Sequence, residues 1–116
     1  MAKLTNREIE EKAIEFIKSQ CKNVKSGTTG YDLKIGNKIV EVKGTASNKA
    51  WQNIYMSRKP EYDAWKTNPQ KYWIYRVINV GKKDCKIIPI PAKYLMPKRD
   101  PRWRVKVNKK FYKKSL

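Results

Sequence analysis

Apolar residues recur at helical spacing near the start of the chain, at Ile9, Ala13, Ile14, Phe16 and Ile17, one side of a 3.6-residue period. Thr5-Asn6-Arg7-Glu8 precedes them and matches a capping box, with Thr5 as N-cap and Glu8 reaching back. The pattern predicts a helix from about Asn6 to about Gln20. Lys25 to Gly30 is rich in turn formers and predicts a loop. Tyr31 to Ile35 alternates apolar and polar, Gly36-Asn37 is a two-residue hairpin signal, and Lys38 to Lys43 is the return strand, ended by Gly44. Further strands are predicted at Trp51 to Ser57, at Lys71 to Val80 as a central strand, and at Lys86 to Ile90. Pro89 and Pro91 put the last of these at a sheet edge. Pro60 to Lys66 reads as a short helix, since Pro suits a first helical turn. Trp103, Val105 and Val107 alternate as a last strand. The order α-β-β-β-α-β plus C-terminal strand(s) predicts an α/β fold, a mixed sheet with helices packed on it.

The length of 116 residues fits a single domain, 1–116, within which 98–116 forms a basic C-terminal extension. Charge alters the picture most. Lys and Arg number 28 against 10 Asp and Glu, a net charge of +18. So small a folded domain repels itself at such a charge, and an anionic partner, nucleic acid above all, accounts for the excess better than a solubilising surface. From Lys98 to Lys114 there are nine basic residues and one acid, with Trp103, Phe111 and Tyr112 interleaved. Basic side chains neutralise phosphates, and aromatic faces stack on bases.

Other classes drop out. There is no His, and Cys21 and Cys85 lie far apart, which excludes a zinc site and a His base. Two reduced, partly buried thiols fit better than one disulfide. No apolar run follows the N-terminal charges and no stretch reaches the ~18 apolar residues of a membrane span. An intracellular, cytoplasmic protein with no membrane partner is expected.

The hairpin brings the chemistry together. With Gly36-Asn37 as the turn, Ile35 pairs with Lys38 and Leu33 with Val40, and Asp32 falls opposite Glu41. Side chains alternate, so Tyr31, Leu33, Ile35, Val40 and Val42 share one face, and Asp32, Glu41 and Lys43 the other. Directly opposed residues have Cβ atoms about 5 Å apart, and two carboxylates that close repel unless a cation lies between them. Mg²⁺ takes oxygen ligands and commonly only one or two protein carboxylates. Lys43 is placed to orient an attacking water or to neutralise charge on a phosphate. On the first helix, Glu11 and Glu15 lie on the polar side, whereas Glu10 projects among Ile9, Ala13, Ile14 and Ile17. A carboxylate on a buried face needs a partner, and completing a metal shell would supply one. The acidic-x-Lys pattern alone is weak, recurring at Glu10-Lys12, Asp32-Lys34 and Asp84-Lys86. The combination carries the argument.

Gly30-Tyr31-Asp32-Leu33, followed by Ile39-Val40-Glu41-Val42-Lys43-Gly44-Thr45, resembles the PD-(D/E)XK nuclease superfamily, of restriction-endonuclease-like fold. Asp32 matches its first acid, Glu41 its second and Lys43 its lysine. Glu10 matches the helix Glu of the branch that includes archaeal Holliday-junction resolvases. Ile54 to Ser57, Glu61 to Trp65 and Lys71 to Val80 are similar to a less characterised group whose members often end larger proteins of defence or DNA processing. The resemblance covers about Glu10 to Val80. Tyr31 stands where a Pro is common, and the tail beyond Pro91 has no counterpart.

The resemblance implies a central mixed sheet flanked by helices. Mg²⁺ (or Mn²⁺) would be held at its split edge by Glu10, Asp32, Glu41 and the backbone carbonyl of Val42, with Asp32, Glu41 and Lys43 catalytic. In-line attack on phosphorus would release a 3′-hydroxyl and a 5′-phosphate. Small members of this fold often pair, so a homodimer is compatible with it. Lys49, Gln52 and Arg58 near the site, and Arg102, Arg104, Lys109, Lys110 and Lys113 in the tail, are candidate backbone contacts. The expected function is a metal-dependent nuclease acting on DNA, with RNA also open. Two alternatives stand beside it: a non-cleaving nucleic-acid-binding module on the same fold, and a basic RNA- or ribosome-associated structural protein.

Overall fold

The computed structural model describes residues 3–28, 30–50, 59–97 and 105–107. The first helix, α1, spans Asn6–Gln20, the limits its pattern predicts. Its capping box is closed: the Glu8 N–H donates to Thr5 Oγ1 and the Thr5 N–H to Glu8 Oε1, both at 3.1 Å. Two backbone donors of the first turn are thereby satisfied.

The chain continues through β1 (Val24–Ser26), β2 (Leu33–Ile35), β3 (Lys38–Gly44), α2 (Lys59–Thr67), β4 (Tyr72–Ile78) and β5 (Lys86–Pro91). A 3-10 turn at Ala92–Tyr94 leads to β6 (Leu95–Pro97), which pairs with β7 (Val105–Val107) in a separate antiparallel ribbon. The main sheet has the order β1-β2-β3-β4-β5. Only β3 and β4 run parallel; the other neighbours are antiparallel. A parallel pair needs a long crossover, and the connection from β3 to β4 carries α2.

This is the α/β architecture expected, a five-stranded mixed sheet flanked by helices in the order α-β-β-β-α-β-β, compatible with a restriction-endonuclease-like fold. Its first strand is a correction. β1 lies partly inside the segment whose composition predicts a loop, and it pairs Val24 with Ile35 and Ser26 with Leu33. Three residues, two of them polar, are too few to display an alternation, so the pairing is set by β2. The strand predicted at Trp51 to Ser57 lies outside the described residues. β5 is an edge strand, as its prolines indicate.

Both faces of the sheet are covered. On one, Ala13 and Ile17 of α1 pack with Leu33, Val40, Val42, Tyr75, Val77 and Val80. On the other, Trp65 of α2 packs with Tyr72, Ile74, Ile88 and Ile90. Val40 and Val42 face α1, so Glu41 between them faces α2. Its burial follows from that second layer. Trp65 and Tyr75 are core residues, while Trp73 is half-buried with the Lys38 ammonium 4.4 Å from its ring centre. Cys21 and Cys85 are free and half-buried. Among the described residues no helix is long and apolar enough to cross a membrane.

Candidate metal centre

Three elements deliver one carboxylate each to a common point. Glu10 comes from α1, Asp32 from the residue before β2, and Glu41 from the middle of β3. A ligand oxygen of each lies within 4.8 Å of those of the other two.

Two glycines permit the approach. A Cβ on Gly44 would stand 3.0 Å from the Ala13 Cβ and 3.2 Å from the Ile9 Cγ2, so the missing side chain lets α1 lie close on the end of β3. Gly27 is pressed against the segment carrying Asp32. Its N–H donates to the Asp32 carbonyl at 2.8 Å, and a Cβ there would overlap the Tyr31 carbonyl oxygen and lie 2.8 Å from the Asp32 carbonyl carbon.

Two expectations need correcting. The hairpin register pairs Ile35 with Lys38 and Leu33 with Val40, as predicted, but the regular ladder stops there. The Asp32 N–H donates to the Val40 carbonyl at 3.0 Å, one residue out of step with that register. Asp32 is therefore not a ladder partner of Glu41. Its carboxylate instead accepts the Val42 N–H at 2.8 Å. Glu10, second, is exposed and not buried among the apolar residues of α1. It sits at the rim of that stripe and reaches the acids across the close α1–β3 contact. Lost hydration, and then Asp32, raise its pKa.

Glu41 is only 2% exposed. Burial pushes its carboxyl up to about 9; Lys43 opposes the shift, while Asp32 and Glu61 add to it. Lys43 Nζ lies 3.1 Å from Glu41 Oε2 and 3.3 Å from Glu61 Oε2. Burial alone would lower the lysine pKa, but Glu41 and Glu61 together outweigh it and hold the ammonium above its ordinary value.

Sequence reasoning did not single out Glu61, Tyr72 or Arg76. Glu61 stands in the first turn of α2, where the helix dipole favours a carboxylate. Tyr72 is fully buried, and its hydroxyl donates to the Gly30 carbonyl at 3.5 Å. Burial raises its pKa, and so do Glu41, Glu61 and Asp32. Arg76, 5% exposed, lies beside Lys43 across the β3–β4 ladder. It donates to the carbonyls of Ala50 (3.1 Å), Lys49 (3.2 Å) and Lys43 (3.5 Å). Burial lowers its pKa. An Arg inside a strand-like apolar run is the one signal that marks it beforehand, because a buried guanidinium demands several acceptors.

Arg76 thereby pins the loop that leaves β3. The same loop is tied by Thr45 N–H to the Val77 carbonyl (2.8 Å) and by Asn79 N–H to the Ser47 carbonyl (2.9 Å). Lys49 is exposed on this loop, next to the metal centre in sequence. Gln52, Arg58, Arg102, Arg104, Lys109, Lys110 and Lys113 lie outside the described residues, as does Trp51.

Residues 1–90 match the family described as Protein NO VEIN, C-terminal. The chain belongs to this family. No match was found among curated proteins or among solved structures. Every residue of the centre, from Glu10 to Arg76, falls inside the NO VEIN C-terminal segment. The basic tail lies beyond it.

Chemically, three converging carboxylates suit a hard cation that prefers oxygen. Without one, burial, with Asp32 and Glu61 adding to it, raises the Glu41 carboxyl to about 9, where it keeps its proton at neutral pH. The donor set thus fits Mg²⁺ or Mn²⁺, and Val42 contributes its N–H to holding Asp32 in place.

Proposed function

We propose that this domain is a metal-dependent nuclease of the PD-(D/E)XK type, hydrolysing phosphodiester bonds of DNA. The observation that carries the reading is the meeting of Glu10, Asp32 and Glu41 at one point, with the Lys43 ammonium on Glu41. Membership of a family associated with nuclease-like domains supports it, as does the charge of +18.

Glu10, Asp32 and Glu41 would hold Mg²⁺ or Mn²⁺, with the Val42 carbonyl a further ligand by resemblance. Such an ion lowers the pKa of a water and draws charge from phosphoryl oxygens. Asp32 is held for this task by the Val42 N–H. Lys43 orients the attacking water and offsets charge on the phosphorane-like transition state. Lys49 and the basic tail bind the phosphate backbone without reading base sequence. Attack in line with the leaving oxygen gives a 5′-phosphate and a 3′-hydroxyl. A homodimer would reach both strands of a duplex.

The test is cleavage of labelled duplex, single-stranded, flap and four-way-junction DNA, and of structured RNA, in Mg²⁺, Mn²⁺ or EDTA, beside Glu41→Gln. Metal-dependent cutting lost in the variant is expected. Tight binding with no cutting of any substrate would instead mark a non-cleaving module. Cutting by Glu41→Gln at the wild-type rate would put the chemistry elsewhere.

A further inference from the structure

The site holds a fourth carboxylate, Glu61, and a lysine joins it to Glu41. Lys43 Nζ bridges Glu41 and Glu61 at 3.1 and 3.3 Å. The side chains of Lys43, Glu41 and Glu61 are 13%, 3% and 14% exposed, so the bridge is nearly closed to water. Burying ionised groups this deeply is costly unless their charges balance. A surface ion pair needs no such arrangement.

Nucleases that use two metal ions hold them about 3.5–4 Å apart. Glu10, Asp32 and Glu41 supply the oxygens for one divalent ion. Glu41 and Glu61 would together suit a second, and the cation found on that pair is the lysine ammonium. We propose that Lys43 is the second cation of this site, held there by Glu61, so that the centre takes one divalent ion and not two. The proposal rests on the metal-dependent reading above.

Glu61 is then a positioning residue: it acts on the reaction through the lysine.

Removing the ammonium should open the second position, because Glu41 and Glu61 would then lose the cation they share. The experiment counts Mn²⁺ bound to the full chain, by calorimetry and by electron paramagnetic resonance. Wild type should bind one Mn²⁺ and give the spectrum of isolated ions. Lys43→Ala should bind two, with the broadened spectrum of a spin-coupled pair, and Lys43→Ala/Glu61→Gln should return to one. Two ions in wild type, or one in Lys43→Ala, would overturn the proposal. The wild-type spectrum decides the matter even should Lys43→Ala fail to fold. No Mn²⁺ bound to wild type would overturn the nuclease reading itself, a result distinct from two.

Discussion

The Val42 N–H donates to Asp32 Oδ2 across 2.8 Å. A side-chain oxygen thus takes a β3 donor where the β2 ladder has ended, and the same contact aims the carboxylate at Glu10 and Glu41. Val42 is fully buried, so its N–H has no water to turn to.

Asp32→Asn and Asp32→Ala should therefore differ in stability but not in activity. Asn retains an oxygen for Val42 and removes the charge. Ala removes both and leaves a buried donor unpaired, at a cost of about 1–3 kcal/mol. Both variants should lose metal-dependent cleavage, and both should bind duplex DNA in EDTA at least as tightly as wild type. Urea melts and filter-binding titrations check this. Equal stability of the two variants would mean the hydrogen bond contributes little.

The metal-free protein should be more stable at pH 5 than at pH 8. The Glu41 carboxyl is raised from 4.5 to about 9 on folding, chiefly by burial. Between those values the native state holds a proton that the unfolded chain has released, so stability falls as pH rises through the window. The contribution is fully present below 4.5 and gone above about 9. A loss of only about 1 kcal/mol moves Tm by about 4 °C in a domain this size. Thermal melts in EDTA should show the decline, Glu41→Gln should flatten it, and Mg²⁺ should restore stability at pH 8. A wild-type slope no steeper than that of Glu41→Gln would count against it.

Gly44→Ala should weaken Mn²⁺ binding without touching a ligand. The added methyl meets Ala13 and Ile9 at 3.0–3.2 Å, which pushes α1, and Glu10 with it, away from β3. Overpacking of this kind costs about 1–3 kcal/mol. Adding Ala13→Gly removes the closest contact and leaves only that with Ile9, whose side chain can shift by the few tenths of an ångström needed, at the ~1 kcal/mol a glycine costs inside a helix. Calorimetry should then find Mn²⁺ affinity recovered while the melting temperature stays low. Affinity unchanged in Gly44→Ala would mean that the closeness of α1 is immaterial to the ion.

The tail can be tested without disturbing the ribbon it helps to form. β7 pairs with β6, and Leu95 of β6 belongs to the core, so cutting the chain at Pro97 would confuse charge with packing. Replacing Lys109, Lys110 and Lys113 by Gln leaves β7 whole. If all three meet phosphates, the salt slope of duplex binding should fall by about 3, with cleavage at saturating DNA unchanged. An unaltered slope would place the phosphate contacts elsewhere.

Legibility in the sequence followed the range of the interaction. α1 could be bounded because a capping box and a 3.6-residue stripe are local, and the hairpin register because a two-residue turn fixes every pair after it. The out-of-step Asp32 was not legible, since a side chain replaces the backbone partner there. Glu10 reached the site for a reason other than the one its position on the helix suggested. The α1–β3 closeness that brings it in depends on Gly44, far along the chain. Glu61 was hidden for the same cause: only the crossover to a parallel β4 lays α2 over Lys43. β1 gave no signal because its partner, not its own pattern, makes it a strand.

The two prolines of β5 also bear on how copies of this domain could meet. Pro89 and Pro91 pair with Tyr75 and Trp73 while keeping β5 in the sheet, so the amide hydrogens they lack are those of the outward side. That rim offers carbonyls and too few donors to accept a visiting strand. Sheets of two molecules therefore cannot be stitched into one along β5, and any pairing that spans a duplex has to be made by side chains on other surfaces.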